Sequence, residues 1–204
     1  VELSVFQLTP FFTNGYVIKD GGEALVIDPG EASPRLLKSI ADVKTVMIVN
    51  THCHCDHAGG NADMVKATGA PLAIHRADLP VLQSLEQQGM MFGVPFPPSP
   101  DPDRFLEEGD ILTVGTVQLK VVHVPGHSPG HIALLGDGFA IAGDVLFAGS
   151  IGRTDLPGGS YRQLLDSIRT KLMVLPDETV VYSGHGPETT IGMERATNPF
   201  LAGA

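Results

Sequence analysis

Four side chains of metal-ligand type, His52, His54, Asp56 and His57, stand within six positions immediately after the apolar run Val46-Met47-Ile48-Val49. Buried imidazoles and carboxylates need partners or a metal ion, so a cluster this dense must sit at the end of a rigid element and turn towards one point. Residues 43–50 read as a strand buried on both faces, as in the middle of a sheet covered by helices. In the extended or turn backbone that follows, alternate side chains project to one side, so His52 and His54 converge on one ion. Asp56 and His57, adjacent where Ala58-Gly59-Gly60-Asn61 turns into the next helix, diverge from that pair and can serve a neighbouring ion. The same alternation turns Cys53 and Cys55 the other way, as small apolar fillers beneath the loop, with zinc ligation by their thiolates as the alternative.

The rest of the chain supplies a frame for that strand. Strand signals at 3–8, 16–18 and 24–28 open it, with Asp20-Gly21-Gly22 as a hairpin turn. Asp28-Pro29-Gly30 breaks the chain, and Ser33 can cap a helix carrying Leu36, Leu37 and Ile40 at helical spacing. Further strands are expected at 111–114, 117–124, 132–135 and 139–142, then a helix over 161–172 and a last strand at 179–182. Each half, 1–105 and 106–204, thus offers strands, then helix, then strand, within one domain. That order fits an α/β (α+β) fold of four layers, αββα, with two mixed sheets face to face and helices outside. The proline-rich segment 92–103 reads as an exposed loop, either a lid or a plain linker.

Three more ligand-type residues stand where strands end. His127 lies in Pro125-Gly126-His127-Ser128, Asp144 in Ala142-Gly143-Asp144, and His185 in Ser183-Gly184-His185-Gly186, each beside a glycine that permits close backbone approach. With the first cluster they make five histidines and two aspartates, enough for two ions sharing one carboxylate. Of the remaining histidines, His75 is expected at the surface at the start of a helix. His123 and His131 fit plain structural roles or support of a ligand imidazole. A net charge of −10 excludes the Lys/Arg stripe that a nucleic-acid groove requires. No apolar stretch is long enough to cross a bilayer and no secretory leader is visible. Cys53 and Cys55, two positions apart, are poorly placed for a disulfide, which favours a reducing, cytoplasmic setting.

The ordered set His52-x-His54-x-Asp56-His57, His127, Asp144 and His185 resembles the metallo-β-lactamase superfamily, as do Asn14-Gly15-Tyr16-Val17-Ile18 and Val26-Ile27-Asp28-Pro29-Gly30. The resemblance implies the αββα sandwich with its site at one edge of the sheets. It further implies that His52, His54 and His127 bind a first metal and Asp56, His57 and His185 a second, with Asp144 bridging. The runs from Ser150 through Gly159 and from Ser183 through Thr190, with Glu194-Arg195-Ala196-Thr197-Asn198-Pro199-Phe200, are similar to small bacterial type II glyoxalases, the hydroxyacylglutathione hydrolase-like branch. Their full-length members carry a C-terminal helical domain with basic residues that hold glutathione, whereas this sequence ends at Ala204. Arg153 matches roughly a substrate-binding lysine of those enzymes, and an arginine fork suits a glutathione carboxylate.

The expectation is a metal-dependent hydrolase in which activated water attacks a thioester carbonyl of hydroxyacylglutathione type, with Asp56 also orienting the water. Two divalent ions are implied, zinc first, with iron and manganese compatible with the same donors. One alternative is a persulfide dioxygenase that holds a single iron through His52, His127 and Asp144, since the Gly152-Arg153-Thr154-Asp155 run is shared with that relative. Another is a hydrolase of a different small ester or thioester. Antibiotic hydrolysis fits less well, because no export signal is visible and Asp144 stands where several secreted β-lactamases carry a cysteine. A non-enzymatic metal-binding module is disfavoured by a complete ligand set with room for substrate.

Overall fold

Period-two alternation in the strands decides the layering. In the computed structural model, which describes residues 1–201, the first part of the chain runs β1 (Glu2–Leu8), β2 (Thr13–Asp20), β3 (Glu23–Ile27), α1 (Pro34–Ser39), β4 (Lys44–Val49), α2 (Cys55–Ala58), α3 (Asn61–Thr68), β5 (Leu72–His75), α4 (Leu79–Leu82), α5 (Leu85–Phe92) and β6 (Arg104–Leu106). The second part runs β7 (Ile111–Val114), β8 (Val117–His123), β9 (Ile132–Gly136), β10 (Phe139–Gly143), a small hairpin of β11 (Leu146–Phe147) and β12 (Ser150–Ile151), α6 (Tyr161–Ser167), β13 (Val180–Ser183), β14 (Thr189–Thr190) and α7 (Ile191–Thr197). Strands β1 to β6 form one six-stranded sheet in sequence order, and β14-β13-β10-β9-β8-β7 the other. Both are mixed: β3 to β6 run parallel in the first, and β10 pairs parallel with β13 in the second.

On β3, Leu25 and Ile27 face inward to the inter-sheet core, while Ala24 and Val26 face outward against Leu36, Ile40 and Met64 of the helical layer. On β9, Ile132 and Leu134 face inward and Ala133 outward against Leu164, Ile168 and Leu172. This is the four-layer sandwich expected from element order, two mixed sheets flanked by helices. The strand before the histidine cluster is buried on both faces only over its last turn: Ile48 meets the helices and Val49 the inter-sheet core, while Val46 and Met47 are half-buried. The β2–β3 hairpin turns on Gly21 and Gly22, both at positive φ (58° and 83°), the backbone a two-residue turn of right-twisted strands demands.

Three local expectations shift. Strand β2 begins at Thr13 rather than residue 16, because the Asn14 N–H donates to the Gly184 carbonyl at 2.7 Å and holds the backbone extended. The helix expected over 161–172 is α-helical only to Ser167 and widens into a π turn over Ile168–Leu172. Leu164, Ile168 and Leu172 recur every four residues, which overshoots a 3.6-residue repeat, and the wider turn keeps all three on the buried face. Within 92–103, Phe92 ends α5, Phe96 packs among Cys55, Leu82 and Leu85, and Ser99 and Asp103 accept from Asn61 and the Leu72 N–H, so this loop is pinned at three points. No helix among the described residues is long and apolar enough to cross a membrane.

Leu134 is fully buried between the sheets, so Leu134→Ala is expected to lower unfolding free energy by about 2–5 kcal/mol in urea titration. Val5, 49% exposed on β1, serves as the control: Val5→Ala stays within about 0.5 kcal/mol.

Candidate metal centre

Strands β8, β10 and β13 run in one direction, since β9 reverses between the first two and the last two pair parallel. Their carboxyl ends therefore share an edge, where β8 leads to His127, β10 to Asp144 and β13 to His185. The loop after β4 joins them there: the Thr51 carbonyl accepts from the Ile132 N–H at 2.8 Å. His54 is extended and begins α2, its carbonyl accepting from the His57 and Ala58 N–H groups at 3.0 Å, so Asp56 and His57 leave the extended stretch on a helical turn. All seven expected donor residues, His52, His54, Asp56, His57, His127, Asp144 and His185, meet at this edge.

Four of the rings are held by their outer nitrogen. The Nδ1 of His57 lies 3.0 Å from Asp28 Oδ2, that of His127 2.7 Å from the Arg153 carbonyl, and that of His185 3.2 Å from the Phe11 carbonyl. Each acceptor is an oxygen, so each Nδ1 carries the proton. His52 Nδ1 lies 3.2 Å from Thr51 Oγ1, whose own hydrogen is given to Asp28 Oδ2 at 2.6 Å, so His52 donates as well. The Nε2 atoms are thus left with bare lone pairs, the tautomer a metal requires. His54 is reversed: its Nδ1 faces His127 Nε2 at 2.9 Å.

Two triads result, His52/His54/His127 and Asp56/His57/His185, with the donor atoms of each within 4.8 Å of one another. Asp144 lies between them, 3.4 Å from His57 Nε2, 3.5 Å from His185 Nε2 and 3.6 Å from His127 Nε2. His52 Nε2, His57 Nε2 and Asp144 Oδ1 are buried without a hydrogen-bond partner among the described residues. Three orphaned lone-pair atoms at one point cannot satisfy each other, whereas divalent cations satisfy them all. The donor set fits a pair of metal ions. A further grouping, Asp28/His52/His57, is of a different kind: the Asp28 oxygens are already committed to the Thr51 N–H, the Thr51 hydroxyl and His57.

Electrostatics agree with ligation. Burial, reinforced by the neighbouring imidazoles, holds His52 well below its ordinary pKa and His54 at about 3, so both stay neutral. Burial pushes Asp56 upward, but His57 and His185 outweigh it and bring the carboxyl to about 2. Asp144 is lowered in the same way, burial being overcome chiefly by His57 and His127. For His57 burial disfavours charge, yet Asp56, Asp144 and Asp28 raise it well above its usual value; carboxylates that favour a proton there also favour a cation.

The remaining sequence candidates separate clearly. Cys53 and Cys55 are buried among Ala58, Ile74, Leu82 and Leu85; Cys55 borders the donor cavity but neither thiol joins a donor triad, and burial pushes the Cys55 thiol up to about 12. His131 stacks on His52 at 4.6 Å, and its Nε2 accepts from the Asp144 N–H at 3.0 Å, so it positions the backbone of that carboxylate. His75 and His123 stack on each other at 4.1 Å; His75 accepts from the Ala77 N–H and His123 donates to the Pro129 carbonyl. Arg153 lines the cavity of about 260 Å3 that contains the donors, but its guanidinium is closed on Asp155 through two hydrogen bonds of 2.7 Å.

Sequence reasoning took Asp28 only as part of a chain break and passed over Asp78. Asp28 adopts a left-handed backbone (φ 50°), which curls its carboxylate back under Thr51 and His57. Asp78, fully buried, accepts from the Cys53 N–H, the Ser128 hydroxyl and the Gly130 N–H at 2.8, 2.9 and 2.6 Å, tying the His52 loop to the His127 loop. The positive φ of a non-glycine residue leaves no mark in sequence, though Asp is among the residues that tolerate it. The glycine beside His185 has the expected reason: a Cβ on Gly184 would collide with Asp144 Oδ1 and approach His57.

A model of the metallo-beta-lactamase superfamily matches residues 8–185. The hydroxyacylglutathione hydrolase GloC of Haemophilus influenzae is 38% identical over 208 residues, covering 98% of this chain and 98% of its own. Among solved structures, BLEG-1, a B3 metallo-beta-lactamase, gives a TM-score of 0.91 at 37% identity, covering 99% of this chain and 100% of its own. TTHA1623, crystallised in a di-iron-bound form, gives 0.90 at 39% identity, with 97% and 100% covered.

Removing the Asp28 carboxylate releases the Thr51 N–H, the Thr51 hydroxyl and the His57 ring together, so Asp28→Ala is expected to weaken metal binding about 10- to 100-fold in chelator competition. Gly184→Ala is expected to lower metal content through its collision with Asp144, and elemental analysis of purified protein measures that loss.

Proposed function

The chain belongs to the metallo-beta-lactamase superfamily, and on that footing we propose that it hydrolyses thioesters of hydroxyacylglutathione type at a two-metal centre. The observation that carries the reading is the pair of donor triads facing each other across Asp144, with three lone-pair atoms unmet between them. His52, His54 and His127 would hold one ion, Asp56, His57 and His185 the other, and Asp144 would face both. Divalent ions so held supply a Lewis acid for the carbonyl oxygen and bring the pKa of water towards neutrality.

The chain's own residues do the rest. Asp56, fixed by a 2.8 Å hydrogen bond from the Thr13 hydroxyl, orients the attacking water. Phe11, Phe92 and Leu156 wall the cavity and limit bulk solvent around the reacting carbonyl. The water oxygen bonds to the acyl carbon and the carbon–sulfur bond breaks, yielding a carboxylate and a thiol; a thiolate leaves readily, so no strong general acid is needed. Arg153 meets a substrate carboxylate by exchanging away from Asp155, a cheap exchange because both side chains are more than half exposed. Imidazole and carboxylate donors suit zinc, iron and manganese; zinc is the first assignment, and the di-iron form of TTHA1623 supports iron as the second. Free, buried Cys53 and Cys55 support a reducing, cytoplasmic setting.

The single-iron oxygenase alternative employs only His52, His127 and Asp144. It leaves His57 Nε2 without a partner and makes no use of Asp56 and His185, which lie 3.1 Å apart beside it, so the two-ion hydrolase is preferred.

Metal-loaded protein is expected to release thiol from S-lactoylglutathione with two metals per chain. One iron per chain and oxygen uptake with glutathione persulfide is the contrary result, as is cleavage of a β-lactam with every thioester untouched. Asp56→Asn is expected to lower kcat at least about 100-fold. Arg153→Ala should raise KM about two- to fivefold with kcat unchanged, as steady-state kinetics would show.

A further inference from the structure

Beside the cavity that holds the donor residues lies a larger chamber of about 460 Å3. The two share His54, Gln88, Phe92 and Leu156, so they adjoin along those four residues. The rest of its lining is mainly aliphatic, with Ala77, Pro80, Val81 and Met91 on one side and Pro129 and Pro157 on the other. Among the described residues, no Lys, Arg, Asp or Glu lines it. Besides His54, its uncharged polar residues are Gln87, exposed at the rim, and Gln88 and Ser84, which spend their groups on the protein: Gln88 accepts from the Cys55 N–H at 2.9 Å and donates to the Val81 carbonyl at 2.8 Å and to Ser84 at 3.0 Å.

The approach is apolar as well. Met90, Met91 and Phe92 at the end of α5 are 74%, 69% and 41% exposed, an unusual row of large apolar side chains open to solvent. The only Lys or Arg lining either space, among the described residues, is Arg153; it borders the donor cavity and not the chamber. A thioester has two arms. If the anionic carrier arm is to find a cation it must lie towards Arg153, which directs the acyl arm the other way.

Resting on the thioester reading above, we propose that this chamber is the acyl pocket and that it selects thioesters whose acyl arm is an uncharged alkyl chain. Burying each methylene there tightens binding about fourfold until the chamber is filled. The short, hydroxylated lactoyl group leaves it largely unused, so straight-chain acylglutathiones are the better substrates.

The test uses metal-loaded protein and thioethers that cannot turn over. Calorimetry of S-methyl-, S-butyl-, S-hexyl- and S-octylglutathione is expected to show Kd falling about fourfold per methylene, with a negative heat-capacity change that grows with chain length. Ala77→Phe, at an exposed position on the chamber wall, should flatten the dependence of Kd on chain length across that series. In parallel, kcat/KM for acetyl-, butyryl-, hexanoyl- and octanoylglutathione should climb. A flat series alongside hydrolysis of short thioesters overturns the chamber's role and leaves the reaction standing. A response to alkyl length only when the chain is on the thiol side, in acetyl thioesters of alkanethiols, overturns the acyl assignment. Alkyl-dependent binding with no thioester hydrolysed overturns the reaction and the acyl role together.

Discussion

Five imidazoles crowded at one sheet edge present a physical problem: protonated they repel, and neutral they bury unmet nitrogens. The protein resolves half of it with hydrogen bonds on the outer nitrogens. Asp28, Thr51, and the carbonyls of Phe11 and Arg153 each fix a ring's proton on the side away from the centre. The lone pairs of those four rings are thereby aimed inward, His54 alone facing its neighbour through Nδ1, and what would be an accumulated penalty becomes affinity for cations. The price is placed on backbone rather than on the donors themselves, as at Asp28, whose left-handed conformation is what lets one carboxylate serve Thr51 and His57 together.

Strand direction accounts for where this happens. Three parallel-running strands of the second sheet deliver His127, Asp144 and His185 to one edge, and β4 of the first sheet delivers the Thr51 loop to the same place. The sheets are held in step by polar groups that bridge them: Asp78 between the His52 and His127 loops, and His131 between His52 and the backbone of Asp144. Removing an apolar residue from the core loosens packing, whereas removing one of these bridges misaligns the donors.

The donors were legible because four are packed into one short stretch after a strand, and the other three, His127, Asp144 and His185, each follow a strand beside a glycine that lets another chain segment come close. Alternation likewise separated His52 and His54 from Cys53 and Cys55, which do pack beneath the loop. The layer order followed from the order of strands and helices along the chain. The supports were not legible. Asp28 in Asp-Pro-Gly looks like an ordinary turn, Asp78 like a surface acid at a helix start, and nothing in a string of residues reports a left-handed φ. Arg153 shows the same limit in reverse: its chemistry suits a substrate carboxylate, but only coordinates show its fork closed on Asp155. The π turn at Ile168–Leu172 was hidden because a four-residue apolar repeat reads as a plain helix.

The loop carrying His185 is fastened to the other end of the chain. Asn14 donates through its side chain to the carbonyls of Ser183 and Gly186 at 3.0 and 2.9 Å, its own N–H reaches Gly184, and the Tyr16 hydroxyl donates to Ser183 at 2.6 Å. These contacts span some 170 residues of sequence, the Asn14–Ser183 pair being 169 apart. During synthesis, then, a ribosome-tethered chain that has not yet extruded Gly186 lacks both the final donor and the latch that seats it. The second triad therefore closes only after residue 185 has emerged and its loop has folded back onto β2, whereas all three members of the first triad precede it in the chain.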